Sequence, residues 1–304
     1  MISFRYHLVS LICVFLGIAL GIVIGTSALN GAVVGDLRRQ NTDLKQSVAA
    51  SSTQNKALQA QGTAADQLAQ AFGPKISAKT LTGKKIVVIG LPGVSKAMKA
   101  NVGNQIAAAG GTVSASIQLA KTFADPAHGN DIQSLVSSAH PIGLQIPQTT
   151  DTGIQAGSIL GYVLLGHGSA TDVTQVITGF TALNLLSVDG STPNPGNAAL
   201  LLAPGGLPNG DEGGSMLLSF ATQLGSTYGA TVVAGDSASA TQHGLVDLVR
   251  GSASAQKAIS TVDDVDTPLG QLTTALTLAD RLADHRGNFG TAPDADALLP
   301  GLSS

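Results

Sequence analysis

Sulfur is nearly absent from this chain. Its 304 residues include one cysteine, Cys13, and three methionines, Met1, Met98 and Met216. A single cysteine excludes an intramolecular disulfide framework and any cysteine-based zinc or iron–sulfur site built within one chain. Charge is scarce too. Asp, Glu, Lys and Arg make up 12% of the residues, about half the usual share of roughly 25%. With 16 Lys+Arg against 19 Asp+Glu the net charge is −3, which excludes the basic field that a nucleic-acid binder needs. Aromatic residues are only 3%, but hydrophobic residues reach 43%, too apolar and too weakly charged for a disordered chain. The length allows one or two domains with a real core.

What is present begins with a long apolar run. From Leu8 to Leu29 no residue is charged. About 22 residues at a rise of roughly 1.5 Å span roughly 33 Å, enough for a hydrocarbon core of about 30 Å. The run predicts a membrane anchor over residues 8–30. A cleaved secretory signal has an apolar core of only about 7–15 residues, although Thr26-Ser27-Ala28 offers a small-residue cleavage site. Orientation has two readings. Arg5 precedes the run, whereas Arg38, Arg39 and Lys45 follow it, so a count of basic residues puts the bulk of the chain in the cytoplasm. A short tail followed by a long domain suits the opposite, extracytoplasmic arrangement, because long domains cross regardless of charge; that arrangement is the one expected here. Cys13 inside the run reads as an inert small hydrophobe.

Gly17, Gly21 and Gly25 recur every four residues. On a helix they form one flat stripe where a second backbone can approach, which suits self-association of the anchor. Small residues are also common in membrane helices without such a role.

Residues 34–73 read as a polar helical stalk. Leu37, Leu44, Ser51, Leu58, Ala65 and Phe72 fall seven apart, while the companion positions are mostly polar, Gln40, Gln54 and Gln61, with Leu68 apolar. This is a weak coiled-coil-like heptad, suited to a homo-oligomer held together by anchor and stalk; a lone solvated helix fits the same residues. Gly73-Pro74 predicts the end of the helix.

Residues 80–290 read as one α/β domain. The runs 86–90, 162–166, 199–203 and 230–234 are short and continuously apolar, as in parallel strands covered on both faces. Helices are expected near 95–109, 170–186 and 214–228, an edge strand at 112–119, and a last helix started by Thr267 as N-cap and Pro268 in the first turn. The alternation predicts a mostly parallel, doubly wound sheet flanked by helices. Residues 124–158 read as an irregular insertion with one helix at 132–138. Residues 291–304, rich in Ala, Asp, Pro and Gly, read as a disordered tail.

In open α/β sheets ligands bind beyond the strand carboxyl ends. Those ends carry Gly90-Leu91-Pro92-Gly93, Gly166-His167-Gly168-Ser169, Pro204-Gly205-Gly206 and Gly235-Asp236-Ser237. None matches a dinucleotide fingerprint, a P-loop or a nucleophile elbow, and no motif requires a cofactor. His167 and Asp236 are the weak cleft candidates, a general base with an acid beside it; a turn histidine without a catalytic role is the reading favoured for His167. Asp263, Asp264 and Asp266 offer oxygen ligands to a hard cation but lack an EF-hand spacing, and carboxylates beside a helix N-terminus are favoured by its dipole in any case. No spacing among His7, His128, His140, His167, His243 and His285 suggests a metal site. No catalytic residue is assigned.

The opening MISFRYHLVSLICVFLGIALGIVIG, then KKIVVIGLPG, YVLLGHG and STVDDVDTPLGQLTTALTLAD, resembles the mycobacterial copper transport protein B (MctB) family of actinobacterial envelope proteins over roughly residues 1–290. The resemblance implies copper efflux and copper resistance, with the family described as an outer-membrane channel protein and a copper ion as the cargo; it brings no catalytic residues. A transmembrane barrel needs segments of about ten residues alternating apolar and polar, and the strands here are short and continuous. The expectation is therefore a single-pass envelope protein, not an enzyme, serving copper transport as channel subunit or accessory. Two alternatives stand beside it: a scaffold or interaction module without transport, and an enzyme using the cleft near His167.

Overall fold

Continuous apolar strands cannot leave a face in water, and this one rule shapes the globular part of the molecule. The computed structural model describes residues 4–190, 192–207, 210–241 and 244–301; His243 and the tail residues 302–304 lie outside them. Two compact units are distinguished, residues 1–64 and 65–304. The first consists of helix α1 (Phe4–Ile76), whose last turns belong to the second unit.

In the second unit the chain runs through β1 (Lys85–Gly90), α2 (Lys96–Ala108), β2 (Thr112–Leu119), α3 (Gly129–Ser138), α4 (Thr152–Leu164), α5 (Ala170–Ala182) and β3 (Leu186–Val188). It continues through β4 (Ala198–Ala203), α6 (Gly210–Tyr228), β5 (Thr231–Gly235), α7 (Leu245–Gly251), α8 (Ala253–Gln256), β6 (Ile259–Val262), α9 (Pro268–Leu282) and β7 (Asn288–Phe289). The seven strands form one sheet in the order β3-β2-β1-β4-β5-β6-β7. Every pairing is parallel except β2 with β3. The sheet is open, with edges at β3 and β7, and is not a closed cylinder. Each residue of β4 and β5 is buried. Helices α2 and α9 pack together over the sheet, α6 and α7 pack over β5 and β6, and α4 lies on α6.

The expected strand at 162–166 is instead the end of α4. A short apolar run does not distinguish a buried strand from a buried helix. What decides here is the upstream cap, where the Asp151 carboxylate accepts from Gly153 N at 2.8 Å and Ile154 N at 3.1 Å. The apolar stretch from that cap is thirteen residues long, too long for a typical strand. So the region 124–158 is more helical than expected, holding α3 and most of α4. Strand β2 is not an edge, because the three-residue β3 lies outside it. Helix α1 runs past Gly73-Pro74 to Ile76; within the second unit Ala69 is buried there, and a Cβ on Gly73 would rest at 3.6 Å from Leu272 Cδ2.

Helix α4 is buried almost all round, and it approaches α6 through glycines four apart. A Cβ on Gly157 would stand 2.9 Å from Phe220 O, and one on Gly153 only 2.3 Å from Met216 O. The small residues let two backbones meet where any side chain would push them apart. Gly157→Val should therefore cost about 1–3 kcal/mol through overpacking, read as a lower urea midpoint by tyrosine fluorescence. Gly103 in α2 has only an ordinary contact, Val113 Cγ2 at 3.8 Å. Gly103→Ala should accordingly raise the unfolding free energy by about 0.5–1 kcal/mol through helix propensity, read as a higher midpoint; equal losses at both positions would refute the close-approach account.

Candidate functional site

Parallel pairing places the carboxyl ends of β1, β4, β5 and β6 on one edge of the sheet. The turn after β1 is held from two sides. Leu91 N donates to Leu202 O at 2.9 Å, and the Gln118 amide donates to Gly90 O at 3.1 Å and Leu91 O at 2.8 Å. The loop after β4 leans on Asp236. One carboxylate oxygen accepts from Gly205 N at 3.1 Å, the other from Ser239 N at 3.0 Å. Asp236 thus caps the 3₁₀ turn Ser237–Ala240 and ties two strand-end loops together. Its acceptor oxygens serve backbone donors.

His167 lies at the opposite edge. Gly196 N, just before β4, donates to Leu164 O at 2.7 Å, and Asn197 N donates to Lys85 O at 2.7 Å. The end of α4 therefore sits beside the starts of β1 and β4. The exposed His167 ring lies between Tyr162 and Tyr228, at centroid distances of 5.8 and 5.5 Å. Tyr228 donates to Ser158 O at 2.7 Å, and burial pushes its hydroxyl pKa up to about 12. The fold does not bring His167 and Asp236 together. The pairing expected from sequence rested on a strand at 162–166, which would have ended at the carboxyl edge.

The aspartates after β6 take three different roles. Asp263 is fully buried and pairs with Arg250 Nη2 at 2.8 Å. It also accepts from Thr291 N at 2.7 Å and Ala292 N at 3.1 Å. Arg250 is itself buried. It further donates to Thr261 Oγ1 at 2.9 Å, Asp294 Oδ1 at 2.8 Å and Phe289 O at 3.1 Å. Residues 291–301, expected as the start of a disordered tail, are instead drawn into this network, and Gly290 N donates to Ala297 O at 3.0 Å. Composition alone missed it because the binding groups are backbone N–H groups, which every sequence carries.

Asp264 is buried as well, and its Oδ1 has no hydrogen-bond partner. Burial, reinforced by Asp263, Asp266 and Asp66, raises its pKa to about 7. Its backbone carbonyl accepts from Thr267, which opens α9 as the sequence predicts. Asp266 is exposed to solvent as a residue, but partial desolvation of its carboxyl still raises its pKa.

Among the described residues of the globular unit, soft metal ligands are not gathered. Met98 and Met216 are half-buried against the hydrophobic core. His128 contacts Asp131 at 2.9 Å and His285 contacts Asp280 at 3.0 Å, each a local pair. Among the described residues no group of three His, Cys, Asp or Glu side chains is placed to hold a metal ion.

In the first unit, Tyr6–Thr26 is long and apolar enough to cross a membrane, and its described side chains are exposed, including Cys13. Among the described residues, and apart from their own helix backbone, nothing lies within 4 Å of a would-be Cβ on Gly17, Gly21 or Gly25. An apolar helix near the N-terminus ahead of an open α/β sheet is the same order of segments that the sequence motifs suggested. The family model described as "Copper transport outer membrane protein, MctB" matches residues 1–300. The chain belongs to the MctB family. It is 32% identical over 307 residues to the protein named copper transporter MctB of Mycobacterium tuberculosis, covering 97% of this chain and 98% of that one. The same figures hold for the Mycobacterium bovis protein of that name. The Mycobacterium leprae protein is 31% identical over 315 residues, covering 98% of this chain and 99% of its own. For this MctB-family chain, whole-length similarity joins the apolar helix and the α/β unit in one family unit.

Sequence reasoning also missed Arg250. The only hint was one arginine inside GLVDLVRGSAS, a stretch otherwise poor in basic residues. Arg250→Ala should destabilise the globular unit by about 3–5 kcal/mol, because it leaves Asp263 buried without its countercharge; a loss below 1 kcal/mol in urea unfolding would contradict that account. For Asp264 the sign is the reverse of the usual carboxylate. Its folded pKa lies above the unfolded value of about 3.9, so its contribution is most favourable below that value and is lost as pH rises towards 7. Asp264→Asn should therefore raise the Tm at pH 8, with the gain shrinking towards pH 4; a gain independent of pH would show that Asp264 does not titrate in this window.

Proposed function

We propose that this MctB-family chain is a single-pass envelope protein that serves copper export, with Tyr6–Thr26 crossing the membrane and the α/β unit on the extracytoplasmic side. The observation that carries this reading is the match over residues 1–300 to a family described as copper transport outer membrane protein. The exposed apolar helix supports the anchoring, since about 30 Å of hydrocarbon would cover those side chains. The α/β unit is long enough to be translocated without regard to flanking charge.

One membrane helix forms no conduit alone, so the protein acts as a homo-oligomer. The open glycine stripe at Gly17, Gly21 and Gly25 provides the helix contact. The exposed Leu37, Leu44 and Leu58 of the stalk provide a second, weaker seam. Copper(I) favours sulfur ligands, and the globular unit presents two packed methionines. Its role is accordingly that of an export subunit or accessory rather than a copper store. A scaffold without transport is the second reading, favoured by that same poor donor set. The enzyme reading lacks the acid partner that His167 was expected to have.

Purified full-length protein in liposomes should carry copper at a rate that falls when Gly17, Gly21 and Gly25 are all changed to Leu. Cysteine-independent crosslinking in membranes should lose its oligomer bands in the same variant. Copper flux equal to that of empty liposomes, beside a copper-sensitive deletion strain, would replace the channel role with the scaffold. Protease added to intact cells, with the envelope made permeable, should digest the α/β unit; protection until the inner membrane is broken would reverse the topology.

A further inference from the structure

The stretch between α3 and α4 borders a cavity that the copper reading does not use. Its volume is about 650 Å3, within the range of small-molecule sites, about 300–1,000 Å3. One wall is a single face of α3, where Gln133, Val136 and Ser137 lie three and four residues apart. The other is the irregular stretch 144–149, with Gln155 near the start of α4 behind it. We propose that this cavity binds a short, uncharged saccharide.

Three observations converge on it. The first is the chemistry of the lining. Four glutamines, Gln133, Gln145, Gln148 and Gln155, face the cavity, and no Asp, Glu, Lys or Arg does. His140 is its one titratable side chain. A phosphate, carboxylate or ammonium group entering here would lose water without meeting a countercharge. A glutamine amide carries an acceptor and two donors in one plane. Neighbouring sugar hydroxyls both donate and accept, so a pair of them matches the two ends of one amide. Leu144 and Ile146 add aliphatic surface for the C–H groups of the ring. No aromatic side chain lines the cavity, so a flat heteroaromatic ligand has nothing to stack on.

The second is the supply of uncommitted polar groups. Among the described residues, the side-chain amides of Gln133, Gln145 and Gln148 have no partner in the chain, nor do the backbone N–H groups of Gln145, Ile146 and Gln148. Gln155 Nε2 donates to Thr149 O at 2.7 Å, whereas its Oε1 is buried and accepts from nothing. Buried acceptors in folded proteins are nearly always satisfied, and a hydroxyl entering beside Gln155 is the donor that the cavity can supply.

The third is that the wall is held in place at both ends. Leu144 is buried, and its N donates to Pro141 O at 3.2 Å. Thr149 Oγ1 accepts from Asp151 N at 3.1 Å. Between these anchors Pro147 fixes its own φ. Groups held before a ligand arrives lose less freedom on binding. Pro147 also removes an N–H from the middle of the stretch, so a peptide laid along it would miss a rung of β-type pairing.

The test uses the full-length protein in a polyoxyethylene detergent, which has no sugar headgroup. Cellobiose, maltose and N,N′-diacetylchitobiose are titrated by calorimetry and followed by the shift in Tm. At least one is expected to bind saturably and to raise the Tm. Its charged counterpart, the matching uronic acid or chitobiose with its amines free, should bind more weakly by about tenfold or more. Gln145→Ala with Gln148→Ala, both at exposed positions, should weaken binding by about tenfold or more through the lost hydrogen bonds, with the ligand-free Tm unchanged. The same changes at Gln70 and Gln271, which line a different cavity, should leave binding as it was. The proposal is overturned if none of the three sugars binds or if the charged counterpart binds equally well. It is overturned too if the Gln145 and Gln148 variant binds like the unaltered protein, or if the Gln70 and Gln271 variant loses as much. Tighter binding of a blocked, uncharged dialanine amide than of every sugar would make this a peptide site and overturn it as well.

Discussion

The globular unit depends on strands that have no polar face. β1, β4 and β5 are buried along nearly their whole length, so water must be kept from both sides of the sheet. Burial of apolar side chains at about 25 cal/mol per Å2 is the dominant favourable contribution, but only if helices cover each face. Covering them requires crossover connections between parallel strands. Parallel strands in turn send every βα loop to the same edge. The Asp236 brace and the Asp263–Arg250 network both stand on that edge for this reason.

Two glycine stripes use one physical device in different settings. In α4, glycines at 153, 157 and 161 meet α6 at distances no Cβ could occupy. In α1, glycines at 17, 21 and 25 have the same spacing and open space around them. The first stripe is satisfied within the chain. The second offers an equivalent surface with no partner among the described residues, and that motivates the oligomer proposed above. Spacing alone was legible for α1 because an uncharged run surrounds it. For α4 the same spacing went unread, because Tyr162–Gly166 imitates a buried strand and drew attention away from the Asp151 cap.

The parts of the fold that the sequence revealed are those where one residue type decides the local structure. Ile86–Gly90 and Ala199–Ala203 have few other ways to bury themselves, and Thr267-Pro268 opens a helix by its own chemistry. β6, with sequence ISTV, is half polar. Its Thr261 is buried only because Arg250 and Asn288 take up its hydroxyl. The two- and three-residue strands β7 and β3 are set by neighbours, not by propensity.

The Arg250 network also reaches residues beyond the last strand. Thr291, Ala292 and Asp294 supply donors and an acceptor to a buried ion pair, so residues 291–294 act as a plug in the sheet's far margin. A fusion partner or affinity handle joined directly after Gly290 would take the place of that plug and open the Arg250–Asp263 ion pair to solvent.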